Sequence, residues 1–256
     1  MTERLCSLSI LNTGIAVLAL PGSSSATARQ LLEAVRRQII SLKDTEEARG
    51  IIIVAQGDSF CRCRTEEQFD SPYMAANLAS FGQQVMFDLE KIGKPCIAAV
   101  SGECTGLGLE LALACDFILT ARSARFGFPD ISVGRIPFCG GTQRLARLVG
   151  KSRAKELIFS GDLVDASEAL RIGLANRMYD DSELMPGVEK LLEKICTRSP
   201  FAIRIGGEVI NAGYDIDLQT ACLLERDAFA LIFASHDRTE GMQAFLNKRQ
   251  PEFKGK

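Results

Sequence analysis

Two carboxylates and a glycine-rich turn stand close together in the middle of the chain. Residues 94–116 read KPCIAAVSGECTGLGLELALACD, which predicts a strand, a glycine turn and a helix. Such a junction exposes backbone N–H groups at the positive end of the helix dipole, where a developing negative charge is stabilised. Glu110 falls in the first turn of that helix, and Asp130 follows in FGFPD. The pattern indicates anion stabilisation combined with proton transfer.

Each of these residues also has an ordinary structural interpretation. A glycine turn serves tight packing in many α/β proteins. Glu110 could simply complement the helix dipole. Asp130 follows Pro129 and, outside any regular element, could be a turn residue or an N-cap. The local pattern leaves the catalytic and the structural interpretations open.

Strands alternate with helices on either side of residues 94–116, and these elements must position the two carboxylates and the glycine turn. Buried strands are predicted at residues 14–20, 50–55, 95–100 and 117–120, and helices at 26–42 and 108–115. This alternation predicts βαβ units with a largely parallel sheet. Another helix starts at Gly140-Gly141-Thr142. Beyond it, helices are predicted at 151–159, 165–172, 182–198, 201–212 and 217–233.

Composition excludes several classes of protein. The net charge of −2 is incompatible with a strongly basic nucleic-acid surface, and no apolar run is long enough for a membrane span. The N-terminal residues lack the layout of a signal peptide, so we expect a cytoplasmic location. Nine cysteines with a single His236 favour buried, reduced thiols over a disulfide framework or a metal site.

A series of further motifs runs along the chain. They are Gly106-x-Gly108-x-Glu110, Phe126-Gly127-x-Pro129-Asp130, Gly140-Gly141-Thr142-Gln143-Arg144-Leu145, Ala166-x-x-Ala169-x-x-Ile172-Gly173-Leu174 and Glu240-Gly241-Met242-x-Ala244-Phe245. In this order they resemble the signature of the crotonase (enoyl-CoA hydratase/isomerase) superfamily. A series of motifs in the same order is far more specific than any one of them.

The resemblance implies roles for four residues. The backbone N–H groups of Arg64 and Leu107 match the oxyanion hole, which stabilises an enolate-like thioester; removing one such donor typically costs about 3–4 kcal/mol. Glu110 and Asp130 match the two carboxylates that hydratases of the family place around one water. One accepts a proton from the water as its oxygen attacks C3, and the other supplies a proton to C2 or orients the water.

The resemblance also implies contacts to an acyl-CoA substrate. The residues expected to make them are Arg62, Thr65, Gly106, Pro137, Cys139, Phe229 and Lys248. Phe229 and Lys248 match positions that reach CoA from a neighbouring subunit. No metal and no cofactor are expected, because coenzyme A is part of the substrate.

Three departures from the family pattern bear on the chemistry. Asp130 stands where the family has Glu, so its carboxylate reaches one methylene less far. Arg62-Cys63-Arg64-Thr65 replaces the usual Ala-Gly-x-Asp of the first oxyanion loop. Residues 21–26 (PGSSSA) lack the Arg-Pro-x-x-x-Asn-Ala-Leu pattern that touches CoA in the family.

The resemblance therefore predicts an α/β fold of the crotonase type, a spiral of ββα units with a C-terminal helical trimerisation region. The core is expected at residues 1–196 and the helical region at 197–256, in a homotrimer or a dimer of trimers. The predicted activity is that of an enoyl-CoA hydratase, in either direction. The alternatives are an enoyl-CoA isomerase or other crotonase-type enzyme, and a non-catalytic acyl-CoA-binding paralogue.

Overall fold

The computed structural model describes residues 5–57, 59–64 and 71–256, with only the backbone of residues 63 and 64. Thr65, predicted to contact substrate, lies outside the described residues. The chain divides into two compact units. The first comprises Met1–Ile92 and Cys96–Lys190, and the second Gly93–Pro95 and Leu191–Lys256. The boundary expected after residue 196 stays a prediction.

Short strands alternate with longer ones through the first unit. The strands are β1 Ser7–Ile10, β2 Ile15–Pro21, β3 Ser23–Thr27, β4 Gly50–Gln56, β5 Arg62–Arg64, β6 Cys96–Val100, β7 Glu103–Thr105, β8 Phe117–Ala121, β9 Arg125–Gly127, β10 Val164–Asp165 and β11 Arg177–Tyr179. The α-helices are α1 Ala28–Lys43, α2 Pro72–Glu90, α3 Leu107–Ala112, α4 Gly141–Val149, α5 Lys151–Ser160, α6 Ala166–Arg171, α7 Leu184–Cys196, α8 Pro200–Tyr214, α9 Leu218–Phe233 and α10 His236–Leu246.

A largely parallel sheet forms the centre of the first unit, as the alternation of strands and helices predicts. Its strand order is β1-β2-β4-β6-β8-β11. Only the edge strand β1 is antiparallel to its neighbour, and the other pairs are parallel. Every residue of β6 and the first four residues of β4 are buried. Burial of successive residues on both faces explains why these strands read as continuous apolar runs.

A ββα unit repeats along the first unit. The strands β2, β4 and β6 of the large sheet are each followed by a short strand and then by a helix. The short strands belong to two smaller sheets, one pairing β3 with β5 and the other ordered β10-β9-β7. The short strands β5 and β7 both contact α3.

Asp130 lies inside a regular element, contrary to the prediction that it follows a turn. It is the second residue of a 3₁₀ helix, Pro129–Val133, that ends at Gly134 with φ 74°. Pro129 fixes its own φ at a helical value and needs no hydrogen-bond acceptor at the first position, so the helix begins there. The short helix fixes the backbone from which the Asp130 side chain projects.

The second unit is helical and holds its own C-terminus. Asp237, which is 1% exposed, accepts hydrogen bonds from the Ser199 hydroxyl at 2.6 Å and from the backbone N–H of Lys254 at 2.7 Å. Its own N–H donates to the carbonyl of Lys256. The buried carboxylate thereby ties the last residues to the start of α8. No helix in the described part of the chain is long and apolar enough to cross a bilayer.

Gly22 tests the close packing between β2 and the end of β4. A Cβ at this position would lie 1.8 Å from the carbonyl oxygen of Gln56, a backbone atom that cannot rotate away. We expect Gly22→Ala to lower the free energy of unfolding by about 1–3 kcal/mol, measured by urea denaturation. Gly206→Ala in α8 is the matched control, since a Cβ there meets no atom within 4 Å. Gly206→Ala should be at least as stable as the parent protein, because alanine favours a helix interior over glycine. Equal stability of Gly22→Ala and the parent protein would contradict the close packing.

Candidate functional site

The side chain of Glu110 is buried at the start of α3, with 1% of its surface exposed. Its Oε1 accepts hydrogen bonds from the backbone N–H of Cys139 at 2.7 Å and of Gly141 at 2.8 Å. Its Oε2 is also buried and is the one buried side-chain nitrogen or oxygen in the described part of the chain that has no hydrogen-bond partner. A buried polar atom without a partner is costly, and such atoms are concentrated where a ligand or water completes the site.

The surroundings raise the pKa of Glu110 to about 7. Burial is the largest cause, because a charged carboxylate loses its hydration. The backbone N–H groups of Gly141, Cys139 and Phe138 oppose this rise by stabilising the charged form, and the negative charge of Asp130 adds to it. A carboxyl group with a pKa near neutrality can both accept and return a proton at physiological pH.

The glycine turn before α3 adopts a conformation that requires glycine. Gly106 has φ 52° and ψ −124°, a combination that residues with a Cβ rarely adopt. Its carbonyl accepts the hydrogen bond from the Glu110 N–H at 3.0 Å. Leu107 is the first residue of α3, so its N–H has no acceptor within the helix. The turn thus presents a backbone donor one helical turn before the buried carboxylate.

The structure brings Asp130 to the same turn. Its Oδ2 lies 2.9 Å from the point where a Cβ on Gly106 would stand. Its carboxylate is close enough to Glu110 to act on that residue's pKa. Sequence reasoning grouped the two carboxylates with the glycine turn, and the structure places all three together. Asp130 is half-buried, whereas Glu110 is fully buried.

The segment that leads to Arg64 packs against the same helix start. A Cβ on Gly108 would lie 2.1 Å from the carbonyl oxygen of Phe60 and 3.4 Å from the Cβ of Cys61. Cys61 adopts φ 65°, an unusual conformation for a residue with a side chain. The chain then enters β5, which pairs in parallel with β3 at Thr27↔Arg64. The two backbone segments predicted to form the oxyanion hole are therefore neighbours.

The remaining predicted contact residues lie in several places. Arg62 is exposed, 3.9 Å from the Glu103 carboxylate, and Pro137 is buried beside Gly141. Cys139 is buried and contributes the N–H that reaches Glu110. In the second unit, Phe229 on α9 is 68% exposed, and its ring centroid lies 6.3 Å from that of Phe233. Lys248 follows α10 and has φ 52°. Their contacts with substrate stay predictions.

Sequence reasoning missed the group that holds Glu110. The motif Gly140-Gly141-Thr142 predicts a helix start, and α4 does begin at Gly141, with Gly140 at φ 104° before it. That the N–H groups of Cys139 and Gly141 converge on Glu110 depends on a contact between residues about thirty positions apart. A doubled glycine before a helix was the available signal, since it permits a backbone approach that other residues block.

The raised pKa of Glu110 predicts how stability depends on pH. A carboxyl group whose pKa is higher in the folded state contributes stability that is present below its unfolded value of about 4.5. This contribution is lost as the pH rises through about 7. Relative to Glu110→Gln, which does not titrate, we expect the parent protein to lose on the order of 3 kcal/mol between pH 4.5 and 8.

Urea denaturation across that pH range measures this difference. Glu183→Gln is the matched control, the same replacement at an exposed glutamate. An identical pH dependence for the parent protein and Glu110→Gln would show that Glu110 titrates normally.

Comparison with known proteins places this chain in a family. The family model described as enoyl-CoA hydratase/isomerase matches residues 12–256. The crotonyl-CoA hydratase of Syntrophomonas wolfei is 37% identical over 236 residues, which cover 91% of each chain. The short-chain enoyl-CoA hydratase of Clostridium acetobutylicum is 43% identical over 171 residues, covering 67% of this chain and 66% of that protein.

Solved structures agree with these sequence relatives. The crystal structure of an enoyl-CoA hydratase from Bacillus anthracis matches with a TM-score of 0.90 and 31% identity, covering 98% of this chain and 100% of that chain. The predicted crotonase-type α/β fold is thereby confirmed. The chain belongs to the enoyl-CoA hydratase/isomerase family.

Proposed function

We propose that the protein is an enoyl-CoA hydratase, a hydro-lyase that adds water across the C2=C3 bond of a 2-enoyl-CoA or removes it from a 3-hydroxyacyl-CoA. The observation that carries the proposal is the buried Oε2 of Glu110, which lacks a partner beside a second carboxylate. Named hydratases among the relatives support the same activity.

Two backbone N–H groups are assigned the stabilisation of negative charge. When water attacks C3, the electron pair of the double bond moves towards the thioester oxygen and forms an enolate. We assign the N–H groups of Arg64 and Leu107 to that oxygen, with the positive end of α3 behind Leu107. Donors fixed by the fold need no reorganisation as the charge develops, and they stabilise it far better than water does.

Glu110 is assigned the proton transfer. In its ionised form, Oε2 accepts a proton from the attacking water while the oxygen of that water bonds to C3. The protonated Glu110 then returns the proton to C2 as the enolate collapses, so the product gains one water and the enzyme is unchanged. A pKa of about 7 suits both steps. The Asp130 carboxylate accepts a hydrogen bond from the second O–H of the water and so orients it, and that hydrogen stays on the product hydroxyl.

Substrate turnover tests the assignment. Incubation with crotonyl-CoA and with longer or cyclic enoyl-CoAs should remove the enoyl absorbance of at least one substrate. We expect kcat/KM for hydration to fall below about pH 7, because the reaction needs ionised Glu110. Glu110→Gln should lower kcat by roughly 10²–10⁴-fold, Asp130→Asn by a smaller factor, and the exposed control Glu183→Gln should change nothing.

Product analysis separates the alternatives. Incorporation of oxygen from ¹⁸O-labelled water at C3 supports the hydratase. A shifted double bond without labelled oxygen would instead identify the protein as an isomerase, which needs one carboxylate and no nucleophilic water. Binding of acyl-CoA in calorimetry without turnover of any substrate would instead identify a non-catalytic acyl-CoA-binding protein.

The same proposal covers the substrate contacts and the requirements of the reaction. Arg62, Thr65, Gly106, Pro137 and Cys139 are proposed to contact the acyl-CoA. We propose no metal and no cofactor, since backbone donors and carboxylates account for both charge stabilisation and proton transfer. A cytoplasmic location is supported by the cysteines, because the eight whose side chains are described form no disulfide.

A homotrimer or a dimer of trimers is proposed for the assembled enzyme, with Phe229 and Lys248 reaching CoA on a neighbouring subunit. In the second unit, the large apolar side chains of Leu218, Phe229, Phe245 and Leu246 are 68–80% exposed. Exposed apolar surface of this kind favours association. Sedimentation should give about three or six times the chain mass of 27.9 kDa. A monomer at micromolar concentration would exclude the assembly.

A further inference from the structure

Arg144 on α4 holds the turn whose N–H groups bind Glu110. Its Nη1 donates to the carbonyl oxygen of Cys139 at 3.0 Å. Its Nε donates to Oε1 of Glu90, the last residue of α2, at 2.6 Å. The guanidinium also stands over the ring of Phe87, 5.2 Å from its centroid. Only 14% of the Arg144 side chain is exposed, so the ion pair is partly shielded from water.

Glycine at 140 makes room for this guanidinium. A Cβ on Gly140 would stand 2.1 Å from Nη1 of Arg144. Two consecutive glycines give the turn a wide choice of backbone conformations, so the turn does not hold its own shape. The hydrogen bond to the Cys139 carbonyl removes part of that freedom. It fixes the peptide that lies between the two N–H groups converging on Glu110.

A second contact from α2 acts on the neighbouring peptide. The side chain of Gln83 donates from Nε2 to the carbonyl of Phe138 at 3.0 Å. At Gly82, a Cβ would lie 2.2 Å from Sγ of Cys139, so α2 approaches the turn as closely as a glycine allows. Contacts therefore run from α2 through Glu90 and Arg144 to the Cys139–Gly141 turn, and from there to Oε1 of Glu110.

We propose that Arg144, held by Glu90, is a positioning residue that fixes the Cys139–Gly141 turn and thereby the orientation of Glu110. The inference rests on the proposed role of Glu110. Arg144 acts through the backbone: the N–H groups of Gly141, Cys139 and Phe138 are what lower the pKa of Glu110 against the effect of burial. Without Arg144 the turn relaxes, these donors move away, and the pKa of Glu110 rises further.

Infrared titration of the protein without substrate tests the proposal independently of activity. The carbonyl stretch of protonated Glu110 is identified by its absence in Glu110→Gln and followed against pH. The parent protein should titrate near pH 7, and Arg144→Met should titrate about one pH unit higher. Arg144→Lys should titrate between them, because one ammonium replaces a two-sided guanidinium. Arg147→Met is the control, an exposed arginine on the same helix.

Kinetics provide the second measurement. At pH 7 an upward shift of one unit leaves roughly one fifth of the ionised Glu110, so kcat/KM of Arg144→Met should fall about fivefold. It should recover towards the parent value at pH 9. An unshifted infrared titration in Arg144→Met, or a loss of kcat/KM that persists at pH 9, would overturn the proposal. Absence of turnover in the parent protein would overturn the hydratase assignment and leave the infrared result interpretable.

Discussion

The rest of the site depends on one constraint, a carboxylate kept in the protein interior with one oxygen bound and the other without a partner. A buried Glu needs hydrogen-bond donors, because without them its carboxyl group would stay protonated and would not ionise. The turn before α4 supplies two N–H groups to Oε1 of Glu110. These donors offset only part of the desolvation penalty, so the pKa of Glu110 stays near neutrality. Oε2, which has no partner, is therefore able to accept and release a proton.

Close backbone contacts make this arrangement possible, and glycines permit them. Gly108 lets the carbonyl of Phe60 approach the start of α3, Gly106 turns the chain beneath the Asp130 carboxylate, and Gly140 admits the Arg144 guanidinium. At each of these positions a Cβ would collide with an atom of the site. In the proposed chemistry, peptide groups stabilise the negative charge and hold Oε1 of Glu110, and the glycines allow these groups to approach closely.

Sequence reasoning predicted the alternation of strands and helices from local signals, and it predicted roles for the two carboxylates from the resemblance to a family. The apolar runs of β2, β4, β6 and β8 predict a buried parallel sheet, and ordered motifs around Glu110 and Asp130 identify the family. Reasoning of this kind missed short strands such as β5 and β7, since three residues carry too little periodicity to be read. It also placed Asp130 outside any element, because a 3₁₀ helix of five residues has no distinct pattern.

The contacts that tune Glu110 could not be predicted, because they join distant parts of the chain. The hydrogen bond between Arg144 and Glu90 joins residues that are 54 positions apart in the chain. The family motif contains Arg144 but does not say what it touches. Cys61 adopts φ 65° directly before β5, which contains the departure at Arg62-Cys63-Arg64. No property of the sequence by itself predicts that conformation for a cysteine.

A crystal structure with a saturated acyl-CoA, which cannot be hydrated, tests the central claim most directly. The account predicts that the thioester oxygen lies about 2.7–3.1 Å from the backbone nitrogens of both Arg64 and Leu107. Oε2 of Glu110 should face C3, with a water between this carboxylate and that of Asp130. A thioester bound elsewhere, or a Glu110 side chain turned away from the β carbon, would contradict the account while leaving the family assignment intact.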